Sequence, residues 1–499
     1  MEGLKGNITL TQIALSMLSA WLIYSIFRAL HNVFLHPLAK YPGPKLRAAF
    51  FFPSYYEVYT GDIPFNWHKL HQKYGDIVRM NPNTLSITKA EAWRDIYGYG
   101  HTMPTLKDPS FYFRGRDGDA VDIISADVPN HTRIRRLLNH AFSEQALRNQ
   151  EDIINSYITL MIQKLHKRAE SISPVDIMRW LNFTTFDITG DLSFDESFGA
   201  LDAEDYNSWI ANLFNMLRVA TMLRVIREYP IVGVPVMYLL DTVPALLEAR
   251  HRHDNYTREK TARRLAKKTD RKDFMSYILK HNDERGMTPA EIKQTSGTLI
   301  IAGSETSATL LSGAVYYLAK NPEWLAKLHQ ELYNTFTNES QISFASLSQL
   351  KILNAVIQET FRMYPPVPTS LPRVVPEKGA TICGTYFPPD TRIGIAQYPA
   401  YRSSHNFKNP DAYKPERFLA DKEYEDDKRS VIQPFSVGPR NCIGQNLAMA
   451  EIRTILARLV WHFDFTLENN MSNWGDQKVF ILWEKPSLMV RLTAREANA

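Results

Sequence analysis

The chain has 499 residues, of which 44% are hydrophobic and 22% are charged. Such a chain can bury a large core, which excludes disordered and collagen-like polymers. Its two cysteines are too few for a disulfide framework, a four-cysteine zinc site or a cysteine-ligated iron–sulfur cluster, although one functional cysteine remains compatible. The formal net charge of +5 is weak for a nucleic-acid binder, so we expect no nucleic acid among the partners.

A stretch of uncharged residues, 8–27, lies near the start of the sequence. At about 1.5 Å per residue, a helix of this length measures roughly 30 Å, which is the hydrocarbon thickness of a bilayer. The alternative is a cleaved signal peptide, but the stretch is long for one and lacks a typical cleavage site. We therefore predict a retained, single-pass membrane anchor.

Basic residues are more numerous after this stretch than before it, so the positive-inside rule places the main body in the cytoplasm. Pro37, Pro42 and Pro44 follow and cannot continue a helix. We expect a lumenal N-terminus over 1–7, a transmembrane anchor over 8–28, a proline-rich elbow over 29–47 and one large domain over 48–499.

Residues 76–88 alternate apolar and polar side chains around the turn at 81–83, which predicts a β-hairpin. Regions 130–225, 240–282, 288–340 and 345–363 carry apolar residues at helical spacing. We therefore predict a mainly α fold with a small β part. Segment 206–240 is unusually apolar. This composition is equally compatible with packing in the core and with a substrate-channel lid that dips into a bilayer.

A long helix is predicted from Thr288, where a capping-box spacing to Glu291 surrounds a proline, as far as the Asn-Pro pair at 321–322. About thirty residues give it a length of roughly 45 Å. Small residues at its middle, Ala302 and Gly303, indicate either tight helix packing or space for a flat ligand. Glu305 and Thr306 follow them and are suited to a proton relay.

The segment FSVGPRNCIG, 435–444, is the most specific pattern in the chain, with an expected chance frequency on the order of 10⁻⁵. Gly438 and Gly444 would let the backbone turn tightly and approach a flat ligand. Backbone N–H groups that point at the sulfur of Cys442 would stabilise a thiolate, which can ligate iron.

This segment resembles the cysteine loop of the cytochrome P-450 family of haem-thiolate monooxygenases, and the resemblance extends over roughly residues 30–495. It implies the cytochrome P-450 fold, with a long central helix over haem b. It also implies that Cys442 is the axial ligand of the haem iron, that Arg440 contacts a propionate and that Phe435 packs beside the sulfur. A thiolate ligand favours cleavage of an O–O bond.

The middle of the long helix resembles the oxygen-activation motif of the same family, in which Ala302 and Gly303 make room above the haem. The resemblance implies that Glu305 and Thr306 deliver protons. Retention of both residues favours a monooxygenase over the isomerase and dehydratase branches.

Further motifs carry the same resemblance. Glu359 and Arg362, three apart on a helix, imply a buried network with Arg417 that braces the haem pocket. His131 and Arg135 lie four apart on one helical face and suit the propionates, although many members carry Trp in place of this histidine. Arg373 matches another propionate contact.

Residues 98–103 begin like a dinucleotide-binding loop but lack its final glycine and a βαβ context. Electrons should therefore come from another protein. By resemblance this is a membrane-bound NADPH-dependent flavin reductase, with a small electron-carrier haem protein as a second candidate. We expect Arg135, Arg136 and Arg440 to face its acidic surface.

The resemblance implies an endoplasmic-reticulum monooxygenase that uses O₂ to oxidise a small lipophilic substrate, similar to enzymes of filamentous-fungal secondary metabolism. The alternatives are a haem-thiolate isomerase or dehydratase, a peroxide-driven enzyme, and a non-catalytic haem-binding protein. We expect the substrate pocket to be lined by 101–125, 206–225, the surroundings of Thr298 and Ala302, 369–374 and the region of Phe480.

Overall fold

A computed structural model describes residues 9–99, 106–112, 120–171, 173–206, 208–227, 230–240, 242–267, 269, 271–284 and 286–495. The helices of this part of the chain are α1 (Leu10–Leu30), α2 (Lys45–Ala49), α3 (Phe52–Thr60), α4 (Ile63–Tyr74), α5 (Ala92–Tyr97), α6 (Val128–Ala141), α7 (Glu144–Glu170), α8 (Ile177–Phe194), α9 (Ala200–Ala203), α10 (Ser208–Arg227), α11 (Pro230–Leu240), α12 (Pro244–Ala266), α13 (Phe274–His281), α14 (Pro289–Lys320), α15 (Pro322–Thr335), α16 (Phe344–Leu347), α17 (Lys351–Met363), α18 (Gln397–Tyr401) and α19 (Gln445–His462).

The strands are short: β1 (Ile77–Asn81), β2 (Thr84–Ile87), β3 (Leu106–Lys107), β4 (Val175–Asp176), β5 (Arg373–Val374), β6 (Ala380–Ile382), β7 (Thr385–Phe387), β8 (Arg392–Ile395), β9 (Phe463–Leu467), β10 (Lys478–Phe480), β11 (Leu482–Glu484) and β12 (Met489–Ala494). The prediction of a mainly α fold with a small β part is confirmed.

The N-terminal helix α1 stands apart from the domain. Thr9 caps it through a reciprocal pair of hydrogen bonds with Gln12, and the helix continues as a π-helical turn over His31–Leu35. The apolar stretch Leu10–Leu35 is long enough to cross a bilayer, and its most apolar part is not covered by the rest of the described residues. Its exposed apolar surface fits a membrane anchor. The predicted N-terminal segment 1–7 lies outside the described residues.

The central helix α14 has 32 residues and follows the prediction at both ends. The hydroxyl of Thr288 accepts the N–H of Glu291, and the Glu291 carboxylate accepts the N–H of Thr288. Along its length the helix packs against α8, α17 and α19. It therefore crosses the interior, and its middle is held on several sides.

The predicted hairpin is confirmed, because β1 and β2 pair antiparallel with Ile77 opposite Ile87. They belong to a five-stranded sheet of order β1-β2-β8-β5-β3, in which only β2 and β8 pair in parallel. A second sheet, β4-β12-β9, and the hairpins β6-β7 and β10-β11 complete the β structure of the described residues. The five-stranded sheet places β5 beside the site described below.

The apolar segment 206–240 forms α10 and α11. Val234, Tyr238 and Leu239 on α11 are 68%, 76% and 63% exposed. Core packing is therefore wrong for this part of the segment. Its exposed apolar residues agree with the interpretation as a lid.

Candidate functional site

A cavity of about 320 Å³ lies between the middle of α14 and the loop that precedes α19. Strand β5 and helix α6 close its sides. The residues that the sequence singled out on its walls are Ala302, Gly303, Thr306, His131, Arg135, Arg373, Phe435, Arg440, Cys442 and Gly444. The fold thus brings together motifs that are far apart in the sequence.

The loop before α19 is shaped by a backbone contact. Gly438 has a φ of 78°, and a Cβ at this position would lie 1.8 Å from the carbonyl oxygen of Tyr97. Glycine is therefore required at this close approach. The loop is closed by the N–H of Cys442, which donates to the carbonyl of Phe435 at 2.8 Å. Gly438 acts in the turn and is not on the cavity wall.

The exposed surface of Cys442 opens into the cavity. Burial within the loop raises the pKa of this thiol, while the N–H of Gly444 and the Arg135 guanidinium lower it. These two groups stabilise the thiolate that a metal would bind. A Cβ on Gly444 would meet only open space and a phenyl carbon 3.8 Å away, so this glycine leaves room for a ligand at the cavity wall.

Phe435 lies beside the same loop and lines the cavity. Its ring packs edge-on against Phe361 of α17, with 5.4 Å between the ring centroids. This contact fixes an apolar ring on the cavity wall, and its packing beside the sulfur stays a prediction.

A group of cationic and imidazole side chains also lines the cavity. Arg373 is buried, and its Nη1 has no hydrogen-bond partner among the described residues. Burial and the positive charges of Arg440, Lys107 and Arg135 lower the pKa of His131 to about 3. The region is thus strongly positive and suited to a ligand with two carboxylates.

Two arginines predicted to face a partner protein, Arg135 and Arg440, also line the cavity. Arg135 donates to the carbonyl and the side-chain oxygen of Asn441, at 2.7 and 2.5 Å, and Arg440 donates to the carbonyl of Ala126. Loop contacts hold both at the cavity wall, and both stay partly exposed, so their place on a partner surface stays a prediction. Arg136 lies at the surface, where it pairs with Asp283 at 3.2 Å.

The predicted acid and alcohol of α14 point to different places. Thr306 lines the cavity, and its hydroxyl donates to the carbonyl of Ala302 at 2.6 Å. Glu305 is buried on another side of the helix, where its carboxylate contacts the Lys485 ammonium. The joint relay expected from the sequence is therefore not assembled in this conformation.

Burial raises the pKa of Glu305 and lowers the pKa of Lys485, while each partner opposes the other's shift. Lys485 also donates to the Thr309 hydroxyl at 2.8 Å. Lys485 was not singled out from the sequence, because nothing in the residues around this lysine indicates that it pairs with Glu305. Its contact fixes the acid on the far side of α14.

A second acid was also missed. Glu451 of α19 is buried, lines the cavity and accepts the hydroxyl of Ser307 at 3.3 Å. Burial raises its pKa to about 8, and its Oε1 has no partner among the described residues. The signal in the sequence is an acid among apolar residues on one helical face, with Leu447 and Ile455 one turn away on either side.

Ala302 and Gly303 differ in role. Ala302 faces the cavity. A Cβ on Gly303 would lie 3.1 Å from the Thr189 side chain of α8, so this glycine permits close helix packing as well as lining the wall. The small residues therefore serve both predicted purposes: Ala302 leaves space for a ligand, and Gly303 also permits tight helix packing.

Glu359, Arg362 and Arg417 meet in a fully buried network. Arg362 makes a bidentate contact to Glu359 at 2.7 and 2.8 Å, and Arg417 approaches the same carboxylate at 3.4 Å. Arg417 also pairs with Asp427 at 2.5 Å. The remaining donors of Arg362 reach the carbonyls of Tyr401, Pro410 and Ala412. The network therefore ties α17 to the segment that leads into the cysteine loop.

The expected substrate-pocket residues divide between two cavities. Thr298 and Ala302 line the cavity that holds Cys442. Thr221, Arg224 and Thr369 line a smaller cavity of about 110 Å³ on the other side of β5. The region of Phe480 lines the smaller cavity through its neighbours Val479 and Ile481. Residues 101–105 and 113–119 lie outside the described residues.

Comparison with known proteins decides the family, because the cytochrome P-450 model matches residues 42–491. The chain belongs to the cytochrome P-450 family. The cytochrome P-450 monooxygenase astJ of Aspergillus oryzae is 42% identical over 478 residues, which cover 95% of each chain. The cytochrome P-450 monooxygenase astA of Talaromyces wortmannii is 41% identical over 97% of each chain. Averantin hydroxylase of Dothistroma septosporum is 38% identical over 99% of this chain and 94% of its own.

The chain is a haem-thiolate monooxygenase, and these fungal relatives support a role in a metabolite pathway. Members of the family bind haem and use O₂ with electrons from a reductase. The residues present fit haem, because the Cys442 sulfur opens into the cavity and the buried Nη1 of Arg373 lacks an acceptor that a propionate would provide.

Proposed function

We propose that this cytochrome P-450 inserts one oxygen atom of O₂ into a small lipophilic substrate, and that the Cys442 thiolate would hold the iron of haem b. The observation that carries the proposal is the opening of the Cys442 sulfur into a cavity roofed by Ala302 and Thr306. When bound, haem supplies the oxygen activation, for which a thiolate ligand favours cleavage of the O–O bond.

The cationic side chains of the cavity would hold the haem carboxylates. Arg373 offers its unpartnered Nη1, and His131 offers a ring nitrogen without requiring a charge. Arg440 and Lys107 add positive charge on the same side. Arg135 acts through the loop, because its two hydrogen bonds to Asn441 hold the residue next to Cys442.

Proton delivery would begin at the Thr306 hydroxyl, which is the alcohol of α14 that faces the cavity. Glu451 holds a proton at neutral pH on the same cavity, because burial raises its pKa to about 8. Glu305 would contribute only after its carboxylate leaves Lys485. We therefore assign Thr306 the direct role and Glu305 an auxiliary one.

The cavity wall orients the substrate and excludes water. Ile123, Leu299, Val367 and Leu371 contribute apolar side chains to it. Such a lining favours lipophilic molecules and strengthens the electrostatic interactions inside the site.

Electrons would come from a flavin reductase that uses NADPH, with a small electron-carrier haem protein as a second donor. The chain would be anchored in the endoplasmic reticulum membrane by 8–28, joined through the elbow 29–47 to a cytoplasmic catalytic domain over 48–499. The exposed apolar surface of α1 and its length support insertion among membrane lipids. The contacts with these partners are expected outside the haem cavity.

Two variants test the haem ligand. Replacement Cys442→Ala should abolish the red-shifted carbon monoxide band of reduced thiolate-ligated haem. Cys383→Ala is the matched control, because Cys383 is the other cysteine and does not line the cavity. An unchanged band in Cys442→Ala would overturn the assignment. Product formation that needs both O₂ and a reductase excludes the isomerase, dehydratase, peroxide-driven and non-catalytic alternatives.

A further inference from the structure

Another cavity, of about 350 Å³ and with charged side chains on its wall, lies at the base of the anchor helix and away from the haem site. It is bounded by the end of α1, the π-helical turn that follows, the β1-β2 turn and the loop before β8. Its lining residues are Arg28, His31, Asn32, His36, Phe51, Pro82, Asn83, Pro389, Asp390 and Thr391. Nothing in the monooxygenase reaction uses these residues.

Two donors on one side of the cavity lack protein acceptors. Arg28 stacks over the Tyr24 ring at 5.8 Å and makes no ion pair within the described residues. The ring of His31 packs edge-on against His36, with 6.2 Å between the centroids, and no described residue accepts its N–H. A guanidinium and an imidazole beside each other suit a phosphate group.

The surroundings make this side positive. His36 accepts the N–H of Leu38 at its Nδ1, so in this geometry its proton lies on Nε2, which is a further donor. Burial, followed by the charges of Arg79, His31 and Arg28, lowers the pKa of His36 to about 4. A bound anion would relieve the repulsion among these groups.

The lining also contains a carboxylate. Asp390 forms no ion pair within the described part of the chain, and its backbone adopts the left-handed conformation with a φ of 58°. A simple anion site would be weakened by this negative charge. A ligand with both a phosphate and an amino group would use both kinds of side chain.

The position of the cavity indicates where such a ligand comes from. The 21 residues of α1 span about 31 Å at 1.5 Å each, so Arg28 lies near one end of a bilayer-spanning segment. Phe34, Leu35 and Phe52 next to the cavity are 64%, 73% and 69% exposed. Apolar residues beside a polar cavity at this level match the boundary between acyl chains and lipid head groups.

We infer that this cavity binds the head group of a zwitterionic phospholipid, with the phosphate at Arg28 and His31 and the amino group at Asp390. The inference rests on the membrane anchoring proposed above. The head group would join the anchor to the β1-β2 turn and the β8 loop, and would thereby hold the domain at a fixed distance from the bilayer.

The experiment measures which lipid stays bound to the full-length holoenzyme. The protein is equilibrated in detergent with equal amounts of phosphatidylethanolamine and phosphatidylglycerol, and retained lipid is counted by native mass spectrometry. The wild type should retain phosphatidylethanolamine preferentially. The double variant Arg28→Gln/His31→Gln should bind about tenfold less of it, since a charge-assisted hydrogen bond contributes about 1.4 kcal/mol or more.

Asp390→Asn should instead shift the preference towards phosphatidylglycerol, because the carboxylate that pairs with the amino group is lost. Asparagine tolerates the left-handed backbone at this position, so the fold should be kept. Lys40→Gln and Glu377→Gln are matched controls outside the cavity, and both should behave as the wild type. The carbon monoxide spectrum verifies that each variant is folded.

Equal retention by the wild type and the double variant would overturn the inference, as would equal binding of both lipids by the wild type. Displacement of the lipid by millimolar inorganic phosphate would assign the cavity to a free phosphate and also overturn it. Alkaline carbonate extraction separates the two proposals. Release of the wild type from membranes would refute the anchor and the lipid site together, whereas firm membrane attachment without selective retention refutes the lipid site alone.

Discussion

Lys485 and Glu305 form an ion pair in the interior of the domain, with both side chains 2% exposed. The lysine follows β11, and the acid lies at the middle of α14, so the pair joins the C-terminal β structure to the helix over the haem cavity. Both charges have been taken out of water. Loss of either partner alone therefore costs more free energy than loss of both.

Lys485→Met should accordingly lower the free energy of unfolding by about 3–5 kcal/mol, since it leaves a buried carboxylate without its partner. The double variant Lys485→Met/Glu305→Gln should recover most of this loss. Thermal unfolding followed by the carbon monoxide spectrum measures both. Additive effects of the two single substitutions would show that the ion pair is not coupled as the structure indicates.

Thr306→Ala should separate electron consumption from product formation. The hydroxyl at the cavity wall is removed, so hydrogen peroxide should accumulate at the expense of product, which should fall by up to about 10²-fold. Peroxide and product are measured per NADPH consumed with a reconstituted reductase. Thr454→Ala is the control, because Thr454 makes the same type of backbone contact, to Ala450 at 2.9 Å, away from the cavity. Unchanged coupling in Thr306→Ala would refute the proton role.

Glu451→Gln should alter the pH dependence of stability. The folded carboxyl keeps its proton up to about pH 8, whereas the unfolded one loses it near its ordinary pKa of 4.5. Between these values the folded state holds one more proton, so this group makes stability fall by about 1.4 kcal/mol for each pH unit.

The variant should lack this slope, so its unfolding temperature should change less than that of the wild type between pH 6 and pH 8. Glu339→Gln serves as a control, because the pKa of Glu339 is shifted in the opposite direction to that of Glu451. Burial opposes the ionisation of Glu339, but His462 and Arg458 lower its pKa to about 2, so its contribution is already complete above its unfolded pKa. Identical slopes in the wild type and Glu451→Gln would contradict the burial of a protonated acid.

Arg373→Gln should weaken haem retention, because the buried Nη1 would no longer meet a propionate. The loss should be about tenfold or more, the effect of one hydrogen bond to a charged group. Transfer of haem to excess apomyoglobin measures it. Arg491→Gln at the partly exposed strand β12 should have no effect. Equal transfer rates in both variants would remove Arg373 from the haem site.

Local patterns in the sequence were sufficient for the elements of the fold. The capping box at Thr288 and the proline after Asn321 gave both ends of α14, and the alternation over 76–88 gave the first hairpin. The Cys442 loop was predicted from the glycines and the arginine around it. In each case the physical signal lies within a few residues of the element that it determines.

Contacts between distant segments were not predictable in this way. The ion pair of Glu305 with Lys485 joins residues 180 positions apart, and its effect is to turn the acid away from the cavity. The environment of Glu451 depends on Ser307, which is 144 positions earlier. Arg135 was expected at a propionate and at a partner surface, and its contact with Asn441, which takes two of its five donors, was not foreseen. A spacing motif shows which side chains share a face and does not show what packs opposite.

The contact of Arg135 with Asn441 spans 306 positions, and it closes the wall beside Cys442. During synthesis the anchor and α6 are made long before the loop that completes this wall. Until then the chain holds only half of the cavity wall, and prosthetic-group insertion has to wait until the last large helix has formed. Because contacts of such long sequence separation form slowly, we expect closure of this loop to be the late step of maturation.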